Sequence, residues 1–199
     1  PADGPISRAP DDISAHRPAD QEWLRIAAGS RQGDDEIAPY RYGVPASPHL
    51  AAAMAGEEIE PARLLAAARA AAAGADALVC EGVGGLLVPL TGRVSAPMGD
   101  KVDQPYLLRD LAADLGYPLV IAASHELGPI PPTLLTLESA HAAGLEVAAV
   151  VLTPWPEEPS AIELSNRETI ASLGEVEVMT LPPLNLGAPA TWPALSWRR

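Results

Sequence analysis

The chain has 199 residues, 48% of them hydrophobic, which is enough for one buried core and short for two. Its formal net charge of -13 repels a phosphate backbone, and no basic patch offsets it, so the composition disfavours nucleic-acid binding. No apolar stretch reaches transmembrane length and no signal-peptide pattern opens the sequence, so we expect a cytoplasmic protein without a membrane partner.

Three segments follow one another along the chain. Residues 1–19 are rich in Pro, Asp and Ser without apolar periodicity, which is typical of a flexible segment. Residues 20–185 alternate between helical and strand patterns, which predicts one α/β domain with a parallel sheet and helices on both faces. Residues 186–199 show no clear period and are predicted to form a C-terminal tail.

Apolar periodicity predicts the individual elements of this domain. Helices are predicted at 20–29, 49–55, 61–73, 106–115, 133–143 and 160–173. Strands are predicted at 77–80, 118–123, 147–152 and 176–181. The single cysteine, Cys80, ends the first of these strands, so we expect a buried thiol, no internal disulfide and a reducing compartment.

A glycine-rich loop follows the predicted strand at 77–80. Glu81 precedes Gly82-Val83-Gly84-Gly85, which places one carboxylate where bare backbone can approach phosphate oxygens. A carboxylate in such a place suits Mg²⁺. From spacing alone, a plain tight turn in which Glu81 caps nearby backbone fits the pattern equally well.

The segment at 79–90, VCEGVGGLLVPL, resembles the signature of the dethiobiotin synthetase family, in which Glu-Gly-Ala/Val-Gly-Gly-Leu follows a strand. Further matches occur in the family's order, at Leu127-Gly128 before the predicted helix TLLTLE and at the strand 150–152 before PWP and NRETI. Together they run from about Asp20 to Leu184. The resemblance implies a P-loop NTPase-like α/β fold, with a parallel sheet covered by helices.

The resemblance also implies a reaction. The family carboxylates 7,8-diaminononanoate with CO₂, phosphorylates the carbamate with ATP in the presence of Mg²⁺, and closes the ring with loss of phosphate, acting as a homodimer. Carried over to matching positions, it implies a metal site at Asp20 and Glu81, a nucleotide site at Glu81, Gly82, Val83, Gly84, Thr153, Pro154, Pro182, Pro183 and Leu184, and a substrate site at Gly85, Gly128, Ile130 and Thr133. For Asp20, an ordinary acidic helix start explains the residue as well.

The chain departs from the family at the phosphate site. Its only lysine, Lys101, lies between Asp100 and Val102, so these 199 residues contain no Gly-Lys-Ser/Thr loop, and the catalytic residue stays unknown. The family's N-terminal strand and P-loop have no counterpart here. Because phosphoryl transfer depends on positioning and charge stabilisation, we expect the 199 residues alone to be inactive and the native protein to extend further.

Three smaller departures concern substrate and nucleotide. Pro131 and Pro132 replace the family's Asn-His, which removes two N–H donors from a helix start, although prolines are also ordinary first-turn residues. Thr153 stands where many members place an Asn that binds adenine, so base selectivity is expected to be relaxed. Residues 93–105 look like an inserted surface loop of open role.

A rival hypothesis is a non-catalytic regulatory domain of the same fold that binds a nucleotide or nothing. The missing P-loop and the two prolines both suit it. A cobyrinate-type amide synthetase is a third candidate, but it needs a glutaminase domain. The histidines show no metal-ligand spacing and are predicted to be surface or structural residues: His16, His49, His125 and His141.

Overall fold

The computed structural model describes residues 20–92, 104–126 and 128–193. The chain divides into two compact units, Pro1–Ala38 and Pro39–Arg199. The predicted flexible segment, Leu127, most of the predicted insertion at 93–105 and the end of the predicted tail lie outside the described residues. The predicted division of the chain at 19 and 185 therefore stays a prediction.

The described part of the first unit is a pair of short helices. Helix α1 spans Asp20–Ala28 and helix α2 spans Asp34–Ile37. Acidic residues in the first turn of α1 complement the positive end of the helix dipole. An ion pair between Arg25 and Asp34 joins the two helices.

The second unit alternates helices and strands in its C-terminal part. Its elements in chain order are α3 (Pro48–Ala55), α4 (Pro61–Ala72), α5 (Leu108–Leu115), β1 (Leu119–Ala123), α6 (Ile130–Ala142), β2 (Val147–Leu152), α7 (Ala161–Gly174), β3 (Val178–Thr180) and a 3₁₀ turn at Pro189–Thr191. Every helix predicted from the sequence is present, with ends shifted by at most three residues. Helix α2 and the 3₁₀ turn were not predicted. None of the described helices is long and apolar enough to cross a membrane.

The sheet is parallel, with strand order β1-β2-β3. In the central strand, Val150 pairs with Ile121 of β1 on one side and with Val178 of β3 on the other. Parallel neighbours need a crossover, which α6 and α7 provide, and these helices pack on each other and on β2 and β3 respectively. The predicted parallel α/β fold is confirmed, while the placement of helices on both faces stays a prediction.

The core lies between this sheet and the helices α6 and α7. Its buried members are aliphatic side chains from the strands β2 and β3 and from both helices: Leu137, Val150, Leu152, Ile170 and Val178. Full burial of one such side chain stabilises the folded state by about 1.5–3 kcal/mol. The core therefore holds the carboxyl ends of β2 and β3 in place.

The strand predicted at 77–80 is wrong. These residues form no strand, the side chain of Val79 is 85% exposed and Cys80 is exposed. An apolar run becomes a strand only when neighbouring backbone completes its hydrogen-bond ladder, and no described residue does so for this segment. The prediction of a buried Cys80 thiol fails for the same reason.

We expect native Cys80 to react with a thiol reagent such as DTNB without denaturant, because its side chain is exposed. Desolvation by neighbouring protein atoms raises the pKa of the Cys80 thiol, and the thiolate is the reactive form. The reaction should therefore be slower than that of free cysteine at neutral pH and should accelerate as the pH rises. Absorbance at several pH values measures this, and a thiol that reacts only after unfolding would contradict the exposed placement.

Candidate functional site

Backbone hydrogen bonds tie the carboxyl ends of the three strands together. Just beyond β2, Thr153 N–H donates to Ala123 O at 2.9 Å, and Trp155 N–H donates to Leu181 O at 2.7 Å. Leu181 N–H in turn donates to Leu152 O at 3.0 Å. The turn at 153–155 is thus held between the ends of β1 and β3, at the edge where open α/β sheets bind ligands.

Two groups of the predicted nucleotide-binding residues meet at this edge. Thr153 and Pro154 follow β2, and the segment Pro182–Leu184 follows β3, directly after the paired Leu181. The three prolines are exposed, whereas Thr153 and Leu184 are half-buried. We call these five residues the edge rim. Apolar ring faces beside a hydroxyl suit a planar, partly polar ligand such as a nucleotide base.

The predicted phosphate loop is anchored elsewhere, on helix α5. Leu108 N–H donates to Val88 O and Arg109 N–H donates to Leu86 O, both at 2.9 Å. These are first-turn donors that have no partner inside a helix, so the loop supplies their acceptors. Residues 86–90 are held in this way, while residues 81–85 are exposed.

The glycines of this loop have structural reasons to be glycine. A Cβ on Gly82 would lie 2.7 Å from Leu108 Cδ2, so a larger residue there would force the Leu108 side chain of α5 to move. Gly84 has a φ of +75°, in the left-handed region that disfavours side chains. Glycine spacing alone therefore does not establish a phosphate site.

Glu81 is different from the glycines. Within the described ranges its exposed carboxylate has no hydrogen-bond or ion-pair partner, so it does not cap nearby backbone there. The carboxylate is free to meet a cation or a ligand. Of the two interpretations that the sequence left open, the capping role thus loses its support.

The donor chemistry of Glu81 fits Mg²⁺. The described residues contain no cluster of three or more His, Cys, Asp or Glu side chains that could hold a metal ion. Mg²⁺ is usually held by one or two carboxylates together with substrate phosphates and water, so it needs no such cluster. Asp20 is the first residue of α1, in the other unit, and its sharing of a metal ion with Glu81 stays a prediction.

Three of the four predicted substrate residues, Gly128, Ile130 and Thr133, surround the start of α6, whereas Gly85 lies in the glycine loop. Gly128 is exposed with a φ of +81°, and α6 begins at Ile130, three residues earlier than predicted. Pro131 and Pro132 occupy its first turn, where a missing N–H costs no helix hydrogen bond. Because residues 131 and 132 are prolines, Ile130 is the only one of the first three helix residues that has an N–H. The next N–H, that of Thr133, already donates to Pro129 O at 3.2 Å.

Thr133 itself is buried, with 3% exposure, and its hydroxyl has no hydrogen-bond partner among the described residues. We expect Thr133→Val to raise the free energy of unfolding by about 1 kcal/mol, because it removes an unsatisfied buried polar group. Thr136→Val on the same helix is the matched control, since that hydroxyl donates to Pro132 O at 2.8 Å and its loss should destabilise. Urea unfolding measures both, and a destabilised Thr133→Val variant would reveal an unseen partner of the hydroxyl.

One cluster at the sheet edge was not predicted. His125 Nε2, in the loop after β1, lies 3.4 Å from Glu163 Oε1 of α7. Its ring meets the Trp155 ring edge-on, with centroids 6.3 Å apart and an interplanar angle of 66°. No sequence spacing relates these residues, because the contact depends on three segments that meet only after folding.

Comparison with known proteins agrees with this fold. A family model described as an AAA domain matches residues 13–189, which is most of the chain. The parallel α/β sheet and this match define the class of the protein, an AAA-type nucleotide-binding fold related to the P-loop NTPases.

Curated relatives narrow the class to one family. The ATP-dependent dethiobiotin synthetase of Anaeromyxobacter dehalogenans is 39% identical over 170 residues, covering 85% of this chain and 70% of that protein. The enzymes of the same name from Chlorobaculum tepidum and Acidiphilium cryptum are both 34% identical, over 184 and 191 residues. These alignments cover 89% and 91% of this chain and 70% and 78% of the two relatives. The chain belongs to the ATP-dependent dethiobiotin synthetase family.

Proposed function

We propose that the protein carrying this chain is a cytoplasmic, homodimeric dethiobiotin synthase that uses ATP and Mg²⁺. The observation that carries the proposal is the exposed carboxylate of Glu81, without a partner in the described ranges, at the head of the family's glycine loop. Family membership supplies the reaction, and the edge rim supplies a surface for the base.

The nucleotide is proposed to lie between two parts of the second unit. The base rests on the edge rim, where the half-buried Thr153 offers a single hydroxyl. The phosphates lie against the backbone of Gly82, Val83 and Gly84, which can approach closely because the loop is largely bare. Glu81 is the proposed Mg²⁺ ligand of this unit, and the ion when bound offsets the charge of the phosphates.

The substrates are 7,8-diaminononanoate and CO₂. One amine adds to CO₂ to form a carbamate, whose oxygen attacks the γ-phosphorus of ATP with departure of ADP. The second amine then attacks the carbonyl carbon, and phosphate leaves as the ring closes. Gly85 is proposed to lie beside the new ring, and Gly128 and Ile130 at the anionic tail; the family resemblance also assigns Thr133 there, but its side chain is buried.

Pro131 and Pro132 weaken the tail site. A helix start attracts anions through its free N–H groups, and here the first turn retains only that of Ile130. Recognition of the substrate tail should therefore be weaker than an N–H-rich helix start allows. We also expect relaxed selectivity for the base at Thr153, because its hydroxyl matches the edge of a base less specifically than the side-chain amide of the family's Asn does.

The test is a turnover assay on the protein isolated from its native source. We expect ADP release to require both 7,8-diaminononanoate and CO₂, with dethiobiotin as the product seen by mass spectrometry. The isolated 199-residue chain, assayed in parallel, should show no turnover. ADP release that ignores the diamine would overturn the proposal, and MgATP binding without any turnover in the native protein would favour a regulatory domain.

A further inference from the structure

Three side chains from separate segments converge beside the edge rim. His125 follows β1, Trp155 follows β2 and Glu163 lies in the first turn of α7. His125 and Glu163 are only 17% and 20% exposed, so their contact is screened less than a surface pair. The three residues therefore link the loop after β1 and helix α7 to the turn at 153–155.

Glu163 is held in a defined orientation. Its Oε2 accepts the Ser160 N–H at 2.6 Å, and Ser160 Oγ accepts the Glu163 N–H at 3.4 Å, which completes a capping box. The other carboxylate oxygen, Oε1, is the one that faces His125 Nε2. The cap of α7 thus directs the carboxylate toward the imidazole.

His125 is costly to the fold as a plain packing residue. Its Nδ1 is buried and has no hydrogen-bond partner among residues that the structure describes. A buried polar atom left without a partner destabilises a protein, whereas an aliphatic side chain of similar size would not. The contacts that an imidazole makes and an aliphatic side chain would not make are those with the Glu163 carboxylate and with the Trp155 ring.

Trp155 connects the His125–Glu163 pair to the edge rim. Its backbone N–H donates to the backbone oxygen of Leu181 at 2.7 Å, and Leu181 immediately precedes the segment Pro182–Leu184. Its ring also packs against the hydrophobic core. A shift of the Trp155 ring would therefore move both the Thr153–Pro154 turn and the end of β3.

We propose that His125, Trp155 and Glu163 are positioning residues that hold the edge rim in the conformation that receives the nucleotide base. The inference rests on the proposed function for the identity of the ligand. It adds that the rim depends on an imidazole, an indole and a capping carboxylate that make no contact with the nucleotide themselves.

The test combines amide hydrogen exchange with MgATP binding in the native protein. In His125→Ala we expect exchange at the Thr153 and Trp155 amides to accelerate at least about 10-fold, while the amides of β2 stay protected. The dissociation constant of MgATP should rise about 10-fold, as for loss of one well-placed hydrogen bond. With saturating MgATP, kcat should be unchanged, because the reacting atoms are not touched.

Further variants separate positioning from folding. Glu163→Gln keeps an acceptor for Ser160 N–H but loses the charge facing His125, so it should show the same changes with the helix cap intact. Trp155→Phe keeps an aromatic edge and should restore most of the affinity lost in Trp155→Ala. His141→Ala, at the exposed C-terminal end of α6, is the control and should change neither exchange nor affinity.

The outcomes distinguish the two proposals. Unchanged exchange at Thr153 and Trp155 in both His125→Ala and Glu163→Gln would overturn the positioning role, whatever binds at the rim. Faster exchange with unchanged MgATP affinity would overturn the rim as the receptor of the base. If the parent protein binds no MgATP, the proposed function fails, and the exchange data alone decide whether the cluster holds the turn.

Discussion

Replacing Ile170 by Ala is expected to lower the free energy of unfolding by about 2–5 kcal/mol. Ile170 is fully buried in α7 and belongs to the cluster that includes Leu137, Val150 and Leu152. Truncation removes apolar contacts with both a helix and the central strand, and the surrounding core can close the cavity only in part. Urea unfolding followed by circular dichroism measures the loss.

Ile162→Ala is the matched control for this change. Ile162 lies on the same helix, but its side chain is 71% exposed, so its truncation should alter the free energy of unfolding by no more than about 0.5 kcal/mol. Both variants gain the same helix propensity from Ala, which cancels in the comparison. Equal losses in the two variants would mean that α7 does not pack through Ile170.

Replacing Glu81 by Gln is expected to lower kcat/KM for MgATP in the native protein by about 100-fold or more. The variant keeps the shape of the side chain and removes the negative charge proposed to hold Mg²⁺. Part of the loss should be recovered at high Mg²⁺, because a weakened metal site can still be filled by mass action. Steady-state kinetics over a Mg²⁺ series tests this.

The control for Glu81→Gln is Glu58→Gln, which also removes one exposed carboxylate, from the connection between α3 and α4. It should leave the kinetics unchanged. Neither variant should alter the free energy of unfolding, since both carboxylates are exposed. Unchanged Mg²⁺-nucleotide affinity in Glu81→Gln would falsify the assignment of Glu81 as a metal ligand.

Much of the fold could be predicted because its signals are local. Pro61 suits the start of α4 because the first turn of a helix needs no N–H from it, and the helix predicted at 160–173 is shifted by one residue at each end. The strand at 147–152 was predicted with its exact bounds, since it is a short, continuous apolar run between helical patterns. Helix α2 was missed because four residues are too few to show a period.

The site could be predicted only in part. Glu81 and its glycines were visible as a motif, and the structure adds that a side chain at position 82 would displace that of Leu108. The meeting of Thr153 with the segment Pro182–Leu184 was implied by family resemblance, and backbone hydrogen bonds through Leu181 show how it arises. The burial of Thr133, a predicted substrate residue, could not be read from its sequence neighbours.

The sequence by itself determined the longer helices, the three parallel strands and the family, because helix caps, apolar periods and the signature at 79–90 are properties of neighbouring residues. Only the tertiary structure decided that residues 77–80 form no strand, since a strand exists through its partners. Only the tertiary structure brought His125, Trp155 and Glu163 together, because their contacts join segments that are distant along the chain. Local patterns set the elements, whereas burial and pairing depend on which surfaces meet.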